Sequence, residues 1–183
     1  MTMQTVITPD ADEARDNAVF DVLMNTAARP GKILSLPHGQ STTQTMQEIA
    51  LALVDNETSF HCDDEALHNF VSLTGALNAK PDEADFLFTV NDAQAALMQA
   101  KTCDALYPDE AATIVMQAKL SGGQALILTG PGIETTEIIA PQIDPKLWDI
   151  RNKRIRYPSG FDLILVDGEQ VLSLPRSTKI EVQ

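Results

Sequence analysis

Five segments of this 183-residue chain are typical of helices, and apolar residues recur at helical spacing in the first three. In those three they occupy positions i, i+3, i+4 and i+7, the pattern of a helix with one buried face. Asp10 and Asp92 precede two of these segments, where an aspartate can cap a helix. Either Asp63 or Asp64 can do the same for a third segment, and Pro30-Gly31 ends the first. The sequence therefore predicts helices at 11–28, 44–54, 65–75, 93–100 and 144–153.

Short runs of β-forming residues alternate with these helices and then dominate the last third of the chain. We expect Ser121-Gly122-Gly123 and Asp167-Gly168 to be hairpin turns, each joining the strands on its two sides. Alternation followed by hairpins predicts an α/β fold with a mixed β-sheet covered by helices on both faces, in αβα layers. The predicted strands are 32–36, 59–62, 86–90, 112–118, 125–129, 161–166 and 171–174, with 138–143 extended.

Length and composition favour one cytoplasmic domain over residues 1–183. Cys62 and Cys103 are too few for a disulfide framework, which fits a reducing cytosol. Residues 1–16 lack the basic start and apolar run of a signal peptide, and no apolar run is long enough to span a bilayer. The net charge of −13 disfavours contact with nucleic acid and with anionic membranes.

The charge is distributed unevenly along the chain. Residues 1–140 contain 6 basic and 20 acidic residues, whereas residues 141–183 contain 7 and 6. Two interpretations of the basic cluster in the second part remain open. It is either a solvated helix or loop, or a docking patch for an acidic partner or for the acidic part of a second copy. The cluster consists of Lys146, Arg151, Lys153, Arg154 and Arg156.

Gly130-Pro131-Gly132 resembles a phosphate-binding loop but lacks the required spacing. A P-loop needs Gly-x-x-x-x-Gly-Lys-Ser/Thr, which does not occur in the chain. The dinucleotide fingerprint needs a third glycine where Thr135 stands, and Pro131 has no amide hydrogen to donate. We interpret the two glycines as turns that end a strand.

Patterns for metal binding and nucleophilic catalysis are weak. The segment His61-Cys62-Asp63-Asp64 holds several ligand types, but adjacent residues of a strand point to opposite faces and rarely converge on one ion. We expect a strand end and a helix cap there, and no metal site. The serines, cysteines and histidines occur in no recognisable nucleophile motif, so we predict no catalytic residue.

Arg176-Ser177-Thr178 follows the last predicted strand and Pro175. An arginine with neighbouring hydroxyls and amides can hold a carboxylate or a phosphate. The same residues can instead anchor the chain terminus to the body of the protein, which is the interpretation that we favour.

Five short motifs occur in a fixed order: Ser121-Gly122-Gly123, Leu128-Thr-Gly-Pro-Gly-Ile133, Ile139-Ala-Pro141, Pro158-x-Gly160-x-Asp-Leu-Ile-Leu165 and Leu174-Pro-Arg-Ser-Thr178. In order and spacing they resemble the PhnH family, a component of the bacterial carbon–phosphorus lyase system. The resemblance covers nearly the whole chain and is densest from residue 108 onward. Each motif alone is weak, but five in register are specific.

The resemblance implies a cytoplasmic protein of phosphonate breakdown, in a core complex with subunits G, I and J (PhnG, PhnI and PhnJ) that functions with the associated subunit L (PhnL). That complex displaces adenine from MgATP with a phosphonate, giving ribose 1-phosphonate 5-triphosphate. The iron–sulfur radical protein PhnJ later cleaves the carbon–phosphorus bond. The resemblance also implies a fold similar to the large domain of transferases that use pyridoxal phosphate (PLP), without the cofactor site. It further implies no cofactor and a homodimer when isolated.

Three functions are then open. The first is a non-catalytic partner subunit of that complex. The second is a subunit that binds nucleotide or phosphonate directly, through an anion nest of backbone amides and an arginine. The third is a stand-alone enzyme unrelated to phosphonates. The nest would consist of Ser121, Gly122, Gly123, Gly130, Gly132, Arg176 and Thr178.

Overall fold

The computed structural model describes residues 10–103 and 106–183. The prediction that the chain has no signal peptide depends on its first residues. Of these, residues 1–9 lie outside the described residues. The helices are α1 (Ala11–Ala28), α2 (Thr42–Leu53), α3 (Glu65–Val71), α4 (Ala93–Gln99) and α5 (Pro145–Arg154), with 3-10 turns at Ser72–Thr74 and Pro108–Glu110. The strands are β1 (Leu34–Ser35), β2 (Ser59–Cys62), β3 (Leu77–Asn78), β4 (Phe86–Thr89), β5 (Thr113–Gln117), β6 (Leu126–Thr129), β7 (Glu137–Ile139), β8 (Asp162–Asp167), β9 (Gln170–Leu174) and β10 (Lys179–Val182).

Aspartate caps begin four of the five helices in the described ranges. Asp10 and Glu13 form a reciprocal capping box, in which each carboxylate accepts a hydrogen bond from the amide of the other residue, at 2.9 and 3.1 Å. Of the two aspartates before α3, Asp64 is the cap. The predicted end of α1 is confirmed, because Gly31 adopts a φ of +92° just beyond it.

A seven-stranded mixed sheet has the order β1-β9-β8-β5-β4-β2-β3. The strands from β8 to β3 are parallel, and β9 is antiparallel to both β8 and β1. Taken in chain order, the five parallel strands lie in the spatial order 2-1-3-4-5 of a doubly wound sheet. The topological switch point, where the direction of winding reverses, is therefore between β2 and β4. Ligands of doubly wound folds usually bind outside the carboxyl ends of the strands at this point.

Both faces of this sheet are covered by helices. Successive residues of a strand point to opposite faces, and β5 illustrates the consequence. Val115 packs into a cluster with residues of α1, α2 and α3, whereas Ile114 and Met116 pack into a second cluster on the other face. Leu97 of α4 and Trp148 of α5 belong to that second cluster. The predicted mixed sheet with helices on both faces is confirmed.

A smaller sheet of order β10-β6-β7 packs on the same face as α4 and α5. The hairpin predicted at Ser121-Gly122-Gly123 is wrong, because β5 and β6 belong to different sheets. Both edges of β5 are already paired, with β4 and β8, so the chain leaves the central sheet after β5. A Cβ atom at Gly123 would collide with the backbone of Pro141. Glycine at this turn permits close packing, and turn residues alone do not specify which strands pair.

The hairpin predicted between β8 and β9 is confirmed. Asp167 pairs with Gln170, and Gly168 adopts a φ of +60°. The start of α2 holds the turn, because Gly168 donates its amide hydrogen to Thr42 Oγ1 at 2.9 Å and accepts from Thr45 Oγ1 at 2.7 Å. These bonds tie one helical layer to the sheet. Within the described ranges, no helix has the length and apolar character that crossing a membrane requires.

Candidate anion-binding cleft

Residues 175–178 connect the two sheets, since β9 lies in the central sheet and β10 in the smaller one. A hydrogen bond from the Thr178 amide to the Pro175 carbonyl, at 2.9 Å, closes a turn within this connection. The amide of Arg176 donates to Asp162 Oδ1 at 2.7 Å. These contacts support the anchoring interpretation, because they fix the start of the last strand to the body of the protein.

The side chain of Arg151, on α5, packs against this connection and is only 1% exposed. Its Nη2 donates to the carbonyl oxygens of Pro175 and Thr178, at 3.0 and 3.2 Å. Its Nη1 donates to Asn152 Oδ1 at 3.4 Å. Neither interpretation of the basic cluster holds for Arg151, because its guanidinium is buried instead of lying on the surface.

The buried guanidinium of Arg151 forms no ion pair with a described residue. Among the residues that the structure describes, no acidic oxygen lies within 4.0 Å of its nitrogens. The Nε of Arg151 also makes no hydrogen bond to any described residue. Burial lowers the pKa of Arg151 to about 10, a shift that the charge of Asp162 partly opposes. The group is still charged at neutral pH, and an unpaired buried cation is costly unless an anion approaches it.

Arg151 lines a cleft of about 540 Å³ beside the connection. This volume lies within the range of small-molecule sites. Three cationic side chains border the cleft, those of Arg151, Arg176 and Lys179, against one carboxylate, that of Glu181. The remaining lining residues are Pro131, Asn152, Ile155, Tyr157, Ser177, Thr178 and Ile180. The cleft therefore carries positive charge on a protein that is strongly acidic as a whole.

Two further polar groups of the cleft have few partners in the described ranges. Thr178 is 2% exposed, and its Oγ1 makes no hydrogen bond there. The guanidinium of Arg176 forms no ion pair with a described residue, and its Nη1 reaches only Cys103 Sγ, at 3.7 Å. Because buried polar groups nearly always have partners, which include ordered water, these groups are left for water or for a polar ligand.

The structure divides the predicted anion nest. Residues 121–123 precede β6, whereas Gly130 and Gly132 follow it, so the two groups lie roughly 20 Å apart along the strand. Gly130 packs against the connection between β9 and β10, where a Cβ atom would lie 2.8 Å from a carbonyl oxygen. Of the seven predicted residues, Gly130, Arg176 and Thr178 are therefore adjacent to the cleft.

Gly130-Pro131-Gly132 forms turns at the end of β6, as we interpreted it from the sequence. The φ angles of Gly130 and Gly132 are +135° and +82°. Gly132 packs against the end of α1, where a Cβ atom would collide with the carbonyl of Ala28. The glycines thus allow the backbone to pass close to two neighbouring segments.

Arg154, a second member of the basic cluster, also makes its hydrogen bonds within the protein. Its Nη1 and Nη2 donate to two carbonyl oxygens at the end of α4, both at 2.6 Å. Lys146, Lys153 and Arg156 are exposed. The two interpretations of the cluster, a solvated face or a docking patch, thus remain open for these three residues.

The switch point of the central sheet is filled by the chain's own carboxylate. Asp63 follows β2 and accepts hydrogen bonds from Thr89 Oγ1 at 2.6 Å and from the backbone amides of Val90, Asn91 and Asp92, the shortest at 2.8 Å. Burial alone would raise the pKa of Asp63, but these hydrogen bonds outweigh it and hold the pKa below its ordinary value. An internal anion thus occupies the position where doubly wound folds usually bind a ligand.

The other residues of the His61–Asp64 segment have separate structural contacts. A ring nitrogen of His61 lies 3.2 Å from the Ala79 carbonyl oxygen, and Asp64 caps α3. Burial raises the pKa of the Cys62 thiol to about 11. The segment is therefore a strand end and a helix cap, as the sequence predicted.

The fold and the cleft define this chain as a doubly wound α/β protein with a cationic site of small-molecule size. Residues 10–181 match the sequence model of one family, described as bacterial phosphonate metabolism protein (PhnH). The chain belongs to the PhnH family.

Two relatives agree with this assignment. HtxG of Stutzerimonas stutzeri, named as a candidate C–P lyase subunit, is 31% identical over 178 residues, which are 92% of this chain and 87% of that protein. The PhnH component of alpha-D-ribose 1-methylphosphonate 5-triphosphate synthase from Rhizobium meliloti is 33% identical over 180 residues, which are 90% of this chain and 89% of that protein.

Sequence reasoning missed Arg151 as a residue of the cleft. A signal was present, since Trp148 lies three residues before it and Ile155 four residues after it. This spacing places all three on one face of a helix, and a tryptophan usually marks the buried face. The surrounding basic residues concealed the pattern, because they suggested that the whole segment is exposed.

Proposed function

We propose that this chain is a subunit of the carbon–phosphorus lyase core complex. It would be needed there for the displacement of adenine from MgATP by a phosphonate to give ribose 1-phosphonate 5-triphosphate. Its role would be that of a non-catalytic partner of subunits G, I and J, in a complex that functions with PhnL. The observation that carries this proposal is the family match over residues 10–181, and the names of the two relatives support it.

The charge distribution supports a role in association. Lys146, Lys153 and Arg156 are exposed on and just after α5, whereas residues 1–140 carry a large excess of acidic residues. Oppositely charged patches accelerate encounter and orient the partners. We therefore propose that these three side chains face an acidic surface of a partner subunit.

Co-purification of co-expressed proteins tests this proposal. Affinity-tagged PhnG, expressed with PhnI, PhnJ and the full chain in phosphate-starved bacteria, should recover all four proteins. The double variant K153E/R156E should lower recovery of this chain, most strongly at low salt. Lys32→Glu, a charge reversal at an exposed lysine before β1, should leave recovery unchanged. If the wild-type chain elutes alone while the other three proteins assemble fully, the proposal is wrong.

The fold comparison and the cofactor are part of the same proposal. A mixed sheet covered by helices on both faces is consistent with the relationship to the large domain of PLP-dependent transferases that the family resemblance implies. Thr89 and the amides of residues 90–92 already donate to the Asp63 carboxylate, so this carboxylate is not free to hold the ring nitrogen of PLP. MgATP would be a substrate of the complex, and this chain would need no cofactor. Titrating the purified chain with PLP should give no more Schiff-base absorbance than exposed lysines of an unrelated protein produce, and a saturable band at one PLP per chain would contradict us.

We further propose that the chain is one cytoplasmic domain that forms homodimers when isolated. Light scattering coupled to size exclusion would measure the mass in solution. A monomer mass at every protein concentration would refute the dimer. Limited proteolysis that yields two stable fragments would refute the single domain, and recovery in the membrane fraction would refute the location.

A second candidate function is direct binding of nucleotide or phosphonate as part of the transfer site. The observation that favours it is the unpaired, buried Arg151 beside Arg176 in the cleft. Calorimetric titration of the isolated chain with MgATP and with methylphosphonate should then release or absorb heat. Absence of heat, together with unchanged activity of a complex that contains Arg176→Ala, would eliminate this candidate.

A further inference from the structure

We propose that the cleft beside α5 binds the dianionic phosphoryl headgroup of a small organic molecule, with Arg151 and Arg176 as its principal ligands. This inference rests on the second candidate function and gives it a location. The inference concerns ligand binding by the isolated chain. Ligand binding can fail while assembly of the complex succeeds, and assembly can fail while ligand binding succeeds.

The first argument is that the charge of Arg151 is only partly compensated. Among the described residues, its almost fully buried guanidinium bonds only to two backbone carbonyls and one amide oxygen, and its Nε–H has no partner. A protein that buries a cation usually supplies a carboxylate beside it, because desolvation is expensive. No described carboxylate lies within 4.0 Å of its nitrogens, and Asp162 acts on it only from farther away. An anion in the cleft would offset the remaining charge, and direct contact with the Nε–H, which is closed to solvent, would need a small shift of the surrounding residues.

The second argument concerns the charge of the ligand. Arg151, Arg176 and Lys179 contribute three positive charges to the cleft, and Glu181 contributes one negative charge. The lining residues alone thus carry an excess of two positive charges, which the nearby Asp162 reduces, and this excess favours an anionic ligand. Guanidinium groups bind phosphate oxygens in charge-assisted pairs, which are stronger than neutral hydrogen bonds. The hydroxyl of Thr178 has no partner among the described residues and is closed to solvent, so it would reach a ligand through a shift of residues 175–178 on binding.

The third argument is the size and polarity of the cleft. Its volume of about 540 Å³ exceeds what a lone phosphate needs and suits a small organic ligand. Ile155, Tyr157 and Pro131 contribute apolar surface on which the organic part of such a ligand can rest. Tyr157 is 71% exposed and is available for this contact. The ligand class is therefore a phosphate monoester or an organic phosphonate.

Calorimetry on the full-length chain at constant ionic strength tests the proposal, with phenyl phosphate as the probe. Phenyl phosphate should bind, inorganic phosphate should bind more weakly, and benzoate should bind at least about tenfold more weakly than phenyl phosphate. Affinity for phenyl phosphate should also fall as the pH drops through about 6, because the dianion then takes up a proton. The proposal would be overturned if phenyl phosphate at millimolar concentration gave no heat of binding. It would also be overturned if benzoate bound with the same affinity as phenyl phosphate.

Variants locate the binding site. Arg176→Gln should weaken the binding of phenyl phosphate about tenfold or more. Lys146→Gln, which removes an exposed charge on the same helix as Arg151 but outside the cleft, should leave it unchanged. Equal losses in both variants would indicate non-specific attraction and refute the site.

Thr178→Val separates a ligand contact from a structural role. The hydroxyl has no partner among the described residues, so its removal should not lower the melting temperature. It should nevertheless weaken the binding of phenyl phosphate. Unchanged affinity in a folded Thr178→Val protein would remove Thr178 from the site. Unchanged affinity in both Thr178→Val and Arg176→Gln would refute the cleft as the site.

Discussion

Asp63→Ala is expected to destabilise the protein by about 3 kcal/mol, the sum of the hydrogen bonds that its carboxylate accepts. Thr89 Oγ1 donates to it at 2.6 Å, and three consecutive amides, those of residues 90–92, converge on the same carboxylate. Thr89 is 2% exposed, so water cannot easily replace its lost bond, and we assign about 2 kcal/mol to this contact. Residues 90–92 are exposed, and rehydration limits their joint contribution to about 1 kcal/mol.

Urea unfolding followed by circular dichroism measures this loss. With a denaturant dependence of about 2 kcal/mol per M, a loss of about 3 kcal/mol lowers the midpoint by about 1.5 M. Asp82→Ala is the matched control, because Asp82 is exposed and its carboxylate has no hydrogen-bond partner among the described residues. A midpoint shift in Asp63→Ala no larger than that of the control would refute the reasoning.

The same contact predicts a pH dependence with a definite sign. The pKa of Asp63 is depressed in the folded protein, so its stabilising contribution is complete above the unfolded pKa of about 3.9 and is lost as the pH falls through the folded value. Asp63→Asn carries no charge at any pH. The stability difference between wild type and Asp63→Asn should therefore narrow below about pH 4. A difference that widens on acidification would contradict the assignment.

Two further predictions concern buried contacts. Thr26 Oγ1 and Ser173 Oγ lie 2.7 Å apart in the core, so Thr26→Val should cost about 1–2 kcal/mol by leaving one hydroxyl unpaired. The double variant with Ser173→Ala should recover much of that loss, and a purely additive double-mutant cycle in chemical denaturation would argue against the pair. Gly123→Ala should lower the melting temperature strongly, because its Cβ would overlap the backbone of Pro141. Gly168→Ala, at a φ of +60° with open space around it, should cost only about 1 kcal/mol, and equal shifts in the two variants would disprove the packing argument.

Local chemistry made much of the fold predictable. Asp10, Asp92 and Asp144 begin helices because a carboxylate satisfies amides that the first turn leaves free. The hairpin at Gly168 was predictable because strands joined by two residues have little choice but to pair. The turn at residues 121–123 was not predictable in the same way. Both edges of β5 are paired, with β4 and β8, which lie far from the turn in sequence. β6 therefore could not pair with β5 and joined another sheet.

The candidate site was less predictable than the fold. Arg176 and Thr178 were proposed from their residue types, and they border the cleft. Arg151 was not proposed, because a run of basic residues suggests an exposed segment. Which of its side chains is buried is decided only when the helix packs. Residues 121–123 and Gly130 were predicted to form one nest because both places contain glycine, yet β6 separates them.

The sequence by itself determined the helices, most strands, the α/β class and the motifs that identify the PhnH family, because spacing, capping and motif order are written in consecutive residues. Only the tertiary structure decided that the sheet is doubly wound, that Asp63 lies at its switch point, and that Arg151 lies buried near Arg176 without an ion-pair partner among the described residues. These features join residues distant in the chain, and their energies depend on desolvation, which exists only once the protein has folded.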